Sequence, residues 1–184
     1  MLDQHERLAL IGVLAENSPA GHMGRTALMK YMYFLQTLRS VPLGYRFSLY
    51  SYGPFDSEVL ADLSRAESMN AVISEAVLYP GGYGYEIRSA DGSNWLGKRA
   101  SGFLRMHKSD IDWVIEKFGS LTSAQLELAS TIVFVDREAV LAREKLNLES
   151  ISKRVQEVKP HFSIQQILSL AERLAGDKLL QSVH

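Results

Sequence analysis

Three short stretches carry residue types that could do chemistry. The first is KYMYF, residues 30–34, where Lys30 stands among Tyr31, Tyr33 and Phe34. A cation among aromatic rings is the composition that holds single-stranded nucleic acid, with phosphate on the charge and bases on the rings. The same residues fit a helix core. Tyr31, Met32 and Leu35 fall on one face and leave Lys30 and Tyr33 on its flank. The second is KRASGFLRMHK, residues 98–108. Lys98, Arg99, Arg105, His107 and Lys108 lie there with no acid between them. Such a run, joined by Arg25 and Lys30, would hold a phosphate backbone without reading sequence. The third is YPGGYGYE, residues 79–86. It has glycine spacing, but it lacks the lysine and hydroxyl residue of a phosphate-binding loop. Its chemistry is that of Tyr79, Tyr83 and Tyr85, a residue type enriched at protein interfaces.

Reactive constellations are sparse. His5, His22, His107, His161 and His184 are scattered, with none spaced i and i+4 for a metal. Asp110 and Asp112 stand at a helix start, where they serve the helix dipole. No G-x-S-x-G elbow appears. The sequence therefore predicts a non-catalytic protein with no metal and no cofactor.

Composition narrows the rest. The chain has 184 residues, with 20 basic and 21 acidic ones, a formal net charge of −1, 46% hydrophobic residues and no cysteine. Balanced charge gives no global attraction to DNA, so any nucleic-acid contact must come from a local patch. The absence of cysteine removes disulfides and thiolate chemistry, and suits a reducing compartment. The N-terminus lacks the basic start and small-residue cleavage site of a signal peptide. No apolar run is long enough to span a bilayer. A cytoplasmic location without membrane contact is expected.

Periodicity supplies the elements that would position these stretches. A helix is predicted over residues 3–16, with Leu8, Ile11, Leu14 and Ala15 on one face, and a second from Thr26, with Leu28, Tyr31, Met32, Leu35 and Leu38 inward. Tyr45 to Tyr50 alternates like a strand. Gly53-Pro54 turns the chain, with Pro54 at the start of a third helix capped by Asp56 or Ser57 and Tyr52 packed over the turn. Residues 72–78 and 83–88 flank YPGG as a hairpin. Residues 90–102 are turn-rich and read as a joint. Beyond it, helices are predicted with Ser109 as one cap, with a capping box at Thr122 and Gln125 for a helix to about Val135, over 137–146 and 148–158, and with a second capping box at Ser163 and Gln166. Helix, helix, short strand, helix, hairpin is the order of a winged helix-turn-helix.

These residues resemble a known family. Lys30-Tyr31-Met32-Tyr33-Phe34 resembles the K-L-x-Y-F helix segment of Panacea-type domains, departing from it at Tyr31. Tyr52-Gly53-Pro54 resembles their Y-G-P turn. The whole chain is similar to the related YwgA-like bacterial and archaeal proteins, including the tail LELASTIVFVDRE followed by KPHFSIQQI. Panacea-type domains occur as antitoxins beside varied toxins and in phage-associated genes, so the resemblance implies a binding protein with no catalytic residues. It carries over no toxin partner; the partner expected is a protein, a toxin being one class of it. The resemblance also implies a structural role for Lys30, Tyr33, Tyr52, Gly53 and Pro54.

The fold expected is mainly α (α+β). A winged-helix-like domain with a small hairpin spans residues 1–95, and a helical bundle spans 96–184, packed against it. The leading function is a protein-interaction module. The alternative is a winged-helix DNA-binding regulator, dimeric, using Arg25, Lys30, Lys98, Arg99, Arg105 and Lys108. The third helix argues against that alternative: Asp56, Glu58, Asp62 and Glu67 face Arg65 alone, and phosphates repel such a helix.

Overall fold

A computed structural model describes residues 3–183. Among them the chain is mainly helical, with nine helices and two small two-stranded sheets. The elements are α1 (Gln4–Asn17), α2 (Arg25–Leu38), β1 (Ser48–Tyr50), β2 (Gly53–Phe55), α3 (Ser57–Ser68), β3 (Val72–Tyr79), β4 (Gly82–Ser89), α4 (Gly92–Arg99), α5 (Ser101–Met106), α6 (Lys108–Phe118), α7 (Ser123–Leu141), α8 (Leu148–Val158) and α9 (Ile164–Gly176). Among the described residues no single helix is long and apolar enough to cross a membrane.

The chain divides into two compact units. One takes in residues up to Ser48 together with Phe55–Ser123. The other takes in Leu49–Pro54 together with the chain from Ala124 onward. The sequence placed the division at residue 95. It falls later because residues 90–102 are not a joint: Gly92–Arg99 and Ser101–Met106 are helical. Leu96, Ala100 and Phe103 recur three or four apart and are buried, so apolar periodicity outweighs the local glycines.

In the first unit α1 begins at a capping box, Asp3 with Glu6, and buries Leu8, Leu10, Ile11 and Leu14. α2 buries Leu28, Tyr31, Met32 and Leu35 as its stripe predicts, and Phe34 stacks on Phe118 of α6 with ring centres 3.9 Å apart. α3 is capped by Asp56, whose side chain accepts from Glu58 N. Pro54 lies in β2, ahead of that cap, and is not the first helical residue. The predicted strand at Tyr45 shrinks to Ser48–Tyr50, because Tyr45 is drawn into the core. Its hydroxyl donates to Asp62 at 2.9 Å.

Asp62 is fully buried on α3, and Arg7 Nε and Arg65 Nη1 also reach it, each at 2.8 Å. A buried carboxylate needs such compensation. Burial and the Asp62 charge push the Tyr45 hydroxyl far above the usual tyrosine range. α6 starts at Lys108, with His107 as its cap residue in place of Ser109.

In the second unit α7 runs on to Leu141, absorbing the start of the helix expected over 137–146. Nothing in DREAVL breaks it, and the chain turns at Arg143, which has φ of 59°. α8 and α9 begin at capping boxes, Asn147 with Ser150 and Ser163 with Gln166. Asp136 is buried on α7 and accepts from the backbone N–H groups of Gln181 and Ser182, so it ties down the last residues of the chain.

The Tyr-Gly-Pro turn belongs to this second unit. Lys159 is buried and pairs with the Glu127 carboxylate at 2.9 Å. Its ammonium also donates to the carbonyls of Tyr50, at 3.2 Å, and of Ser51. Gly53 has φ of 85°, and a Cβ there would meet the hydroxyls of Ser130 and Thr131 at 3.1 Å. The turn thus needs glycine twice over, for its dihedral and for its close approach to α7. Tyr52 is 74% exposed and does not pack over the turn.

Candidate functional site

The hairpin and the start of α2 build a site in the first unit. β3 and β4 pair antiparallel from Val72 with Ser89 to Tyr79 with Gly82, and Pro80 and Gly81 form the turn, with Gly81 at φ of 98°. Alternation divides the ribbon into two faces. One carries Leu78 and Ala76 from β3 with Tyr83, Tyr85 and Ile87 from β4. At the base of this face Ile87 and Val72 are buried. At its tip Leu78 is 86% exposed and Tyr83 71%. The inward face of the ribbon therefore runs past the core and stays apolar in solvent.

The loop before α2 clamps the base of the hairpin. Met23 exchanges both backbone hydrogen bonds with Ile87, at 3.0 and 2.8 Å. That pairing brings His22, Gly24 and Arg25 alongside β4. The Arg25 guanidinium lies over the Tyr85 ring, its carbon 3.5 Å from the ring centre, and Tyr83 meets Tyr85 edge to face at 6.2 Å. On the other face of the ribbon the Tyr79 hydroxyl donates to Glu86 at 3.0 Å, and its ring packs over Gly84, where a Cβ would come within 3.1 Å of it. Glu86 also faces Arg88 and, at 3.8 Å, His22. Burial alone would raise the Glu86 carboxyl, but Tyr79, His22 and Arg88 together hold it below the usual glutamate range.

A cavity of about 590 Å³ opens here, lined by His22, Gly24, Arg25, Thr26, Tyr79, Tyr83, Gly84, Tyr85 and Ser123. No carboxylate lines it. Arg25 therefore joins the three tyrosines, although the sequence assigned Arg25 to nucleic acid and Tyr79, Tyr83 and Tyr85 to protein contact. Nothing in the spacing of residues 25 and 85 could foretell their stacking, because the Met23–Ile87 pairing that creates it is long-range.

The other predicted cations do not join them. Lys30 is 2% exposed, inside the first unit with Tyr31, Tyr33 and Phe34, so it offers no ammonium to a phosphate backbone. Tyr33 packs edge to face on Phe47 at 5.1 Å. Lys30 and Tyr33, expected on the flank of a core face, are themselves buried: α2 is buried on nearly its whole circumference from Leu28 to Leu35. Lys98 and Arg99 are exposed at the end of α4, with Arg99 5.9 Å from the Trp95 ring. Arg105 and Lys108 line a second groove of about 310 Å³ with Val13, Leu104, Ile111 and Asp112, and Lys108 is paired with Asp112 at 2.5 Å. The basic run on residues 98–108 is thus split, part of it neutralised.

No group of three or more His, Cys, Asp or Glu side chains among the described residues is placed to hold a metal ion. In comparisons with known proteins, no family model and no curated sequence matches the chain.

Proposed function

We propose that the protein is a non-catalytic binding protein that engages a protein partner through the tip of its β-hairpin. The observation that carries this reading is the exposed apolar end of the hairpin, Leu78 and Tyr83 with Tyr79 beside them. An apolar surface left in solvent on an ordered element marks a contact site. Tyrosine adds broad contact area at small entropic cost. The outer edge of β3 pairs with no other strand among the described residues, so a partner segment can add to the sheet by main-chain hydrogen bonds. The resemblance to YwgA-like and Panacea-type proteins favours a cytoplasmic antitoxin or phage-response role, with a toxin-like protein as the partner class and the winged-helix arrangement as the scaffold. A homodimer is compatible with this scheme.

A DNA-binding regulator is the second reading, favoured by the exposed Lys98, Arg99 and Arg105. It is the weaker one. Helix α3, which would enter the major groove, is acidic, and Lys30 is buried.

Affinity capture of the tagged protein from native cells, with and without nuclease, tests both. A stoichiometric protein that survives nuclease and is lost on Leu78→Asp supports the first reading. Nucleic acid alone, released with a steep salt dependence and lost on Lys98→Ala with Arg99→Ala, supports the second.

A further inference from the structure

The cavity at the base of the hairpin has chemistry that protein docking at the tip does not use. Its polar lining is cationic or neutral: Arg25 and His22, with the hydroxyls of Thr26 and Ser123. Glu86, on the same hairpin strand, is already engaged by the Tyr79 hydroxyl, Arg88 and His22. Arg25 makes no ion pair with any described carboxylate. Its guanidinium rests on the Tyr85 ring at 3.5 Å, which holds the side chain at one place while leaving its N–H edges to donate. The site therefore favours an anion.

It also favours a flat ring. Tyr83, 71% exposed, lines the cavity, and Tyr79, 47% exposed with one side of its ring against Gly84, lines it too. Gly84 leaves room for the Tyr79 ring, which a Cβ there would meet at 3.1 Å. At about 590 Å³ the cavity exceeds what an inorganic anion fills and lies within the range of pockets for small organic ligands. An anionic group and a planar ring a few ångströms apart are the two halves of a nucleotide.

We propose that this cavity binds a nucleoside monophosphate. Arg25 and His22 hold the phosphate, and the tyrosine rings stack on the base. One more feature adds to the fit. The first turn of α2, whose cap residue Gly24 supplies no side-chain acceptor to it, opens on the same cavity with its backbone N–H groups free of helical partners. Base stacking on tyrosine tolerates any base, so purine and pyrimidine nucleotides should bind with similar strength.

Calorimetric titration of the full chain with AMP and CMP tests this, with adenosine, inorganic phosphate and a hexaglutamate peptide as controls. Both nucleotides are expected to bind, adenosine and phosphate at least about tenfold more weakly. Arg25→Gln and Tyr85→Leu should each weaken AMP about tenfold or more, with Arg25→Lys between them and wild type, because lysine keeps the charge and loses the planar stack. Circular dichroism melting of each variant checks that it is folded. Leu78 does not line the cavity, so Leu78→Asp should leave AMP binding unchanged while abolishing partner capture. The proposal is overturned if neither nucleotide saturates the protein in the millimolar range, if phosphate alone binds as tightly as AMP, if hexaglutamate displaces AMP, or if folded Arg25→Gln binds AMP like wild type. None of those results touches the protein-docking reading, which stands or falls on Leu78 and Tyr83.

Discussion

Arg25 stacks on Tyr85, with the guanidinium carbon 3.5 Å from the ring centre. The pair joins the first turn of a helix to the hairpin strand, across sixty positions of sequence. It turns two unrelated sequence features into one surface. The apolar tip and the cationic cavity lie on the same ribbon, so a ligand in the cavity and a protein at the tip would touch neighbouring residues, Tyr83 above all.

The tip should behave as a contact surface and not as a structural element. Leu78→Asp and Tyr83→Ser leave the buried base of the hairpin, Val72 and Ile87, intact. Each is expected to change the melting temperature little, since exposed positions shift stability by only about 0.5 kcal/mol. Each should weaken the partner by about 2 kcal/mol or more if the residue is an anchor, roughly thirtyfold in Kd. Thermal melts paired with binding titrations separate the two effects.

The buried pair in the second unit should resist single removal. Lys159→Met leaves the Glu127 carboxylate buried with only the exposed His161, 3.2 Å away, to oppose it, and takes the donor from the carbonyls of Tyr50 and Ser51. Breaking such a pair costs on the order of 3–5 kcal/mol. Adding Glu127→Gln to Lys159→Met should recover part of the loss. Urea unfolding of the single and double variants measures this.

Gly53→Ala should also destabilise, by about 1–3 kcal/mol. The new methyl would stand 3.1 Å from the Ser130 and Thr131 hydroxyls and 3.3 Å from the Glu127 carbonyl, at a φ that alanine avoids. A substitution at Gly81, where the space around the Cβ is open, faces only the dihedral cost and should do less harm. Melting temperatures of the two variants decide the order.

Alkaline titration should single out Tyr45. Its hydroxyl is raised by burial and by the Asp62 charge, so the folded protein keeps the proton where the unfolded chain has lost it. The folded state then binds more protons than the unfolded state above about pH 10, and stability falls as pH rises from there. Below that pH the group contributes no slope. Tyr45→Phe should flatten the alkaline fall while lowering stability at neutral pH, because Asp62 loses a donor. Unfolding free energy measured against pH in the two proteins shows both effects.

Much of this architecture was legible in the sequence because its signals are local. The stripes of α1 and α2, the Asp56 cap, the Ser163 capping box and the YPGG turn all depend on residues within one or two turns of each other. Long-range pairing was not legible. Lys30 reads as an amphipathic flank, yet α2 is covered on nearly every side, and no spacing within α2 announces that. The run at 90–102 reads as a joint because glycine and serine are frequent in it, while burial of Leu96 and Phe103 selects helix. Of the candidate site, the three tyrosines were visible as a group. Their union with Arg25 was not, because it depends on Met23 pairing with Ile87, a contact between distant segments.

The most direct test of the central claim is site-specific photo-crosslinking in native cells, with a benzophenone amino acid placed at position 83 and, separately, at position 98. Docking through the hairpin predicts a discrete protein adduct from position 83 that nuclease does not shift, and none of that mass from position 98. A nucleic-acid adduct from position 98, with no protein adduct from position 83, would contradict it.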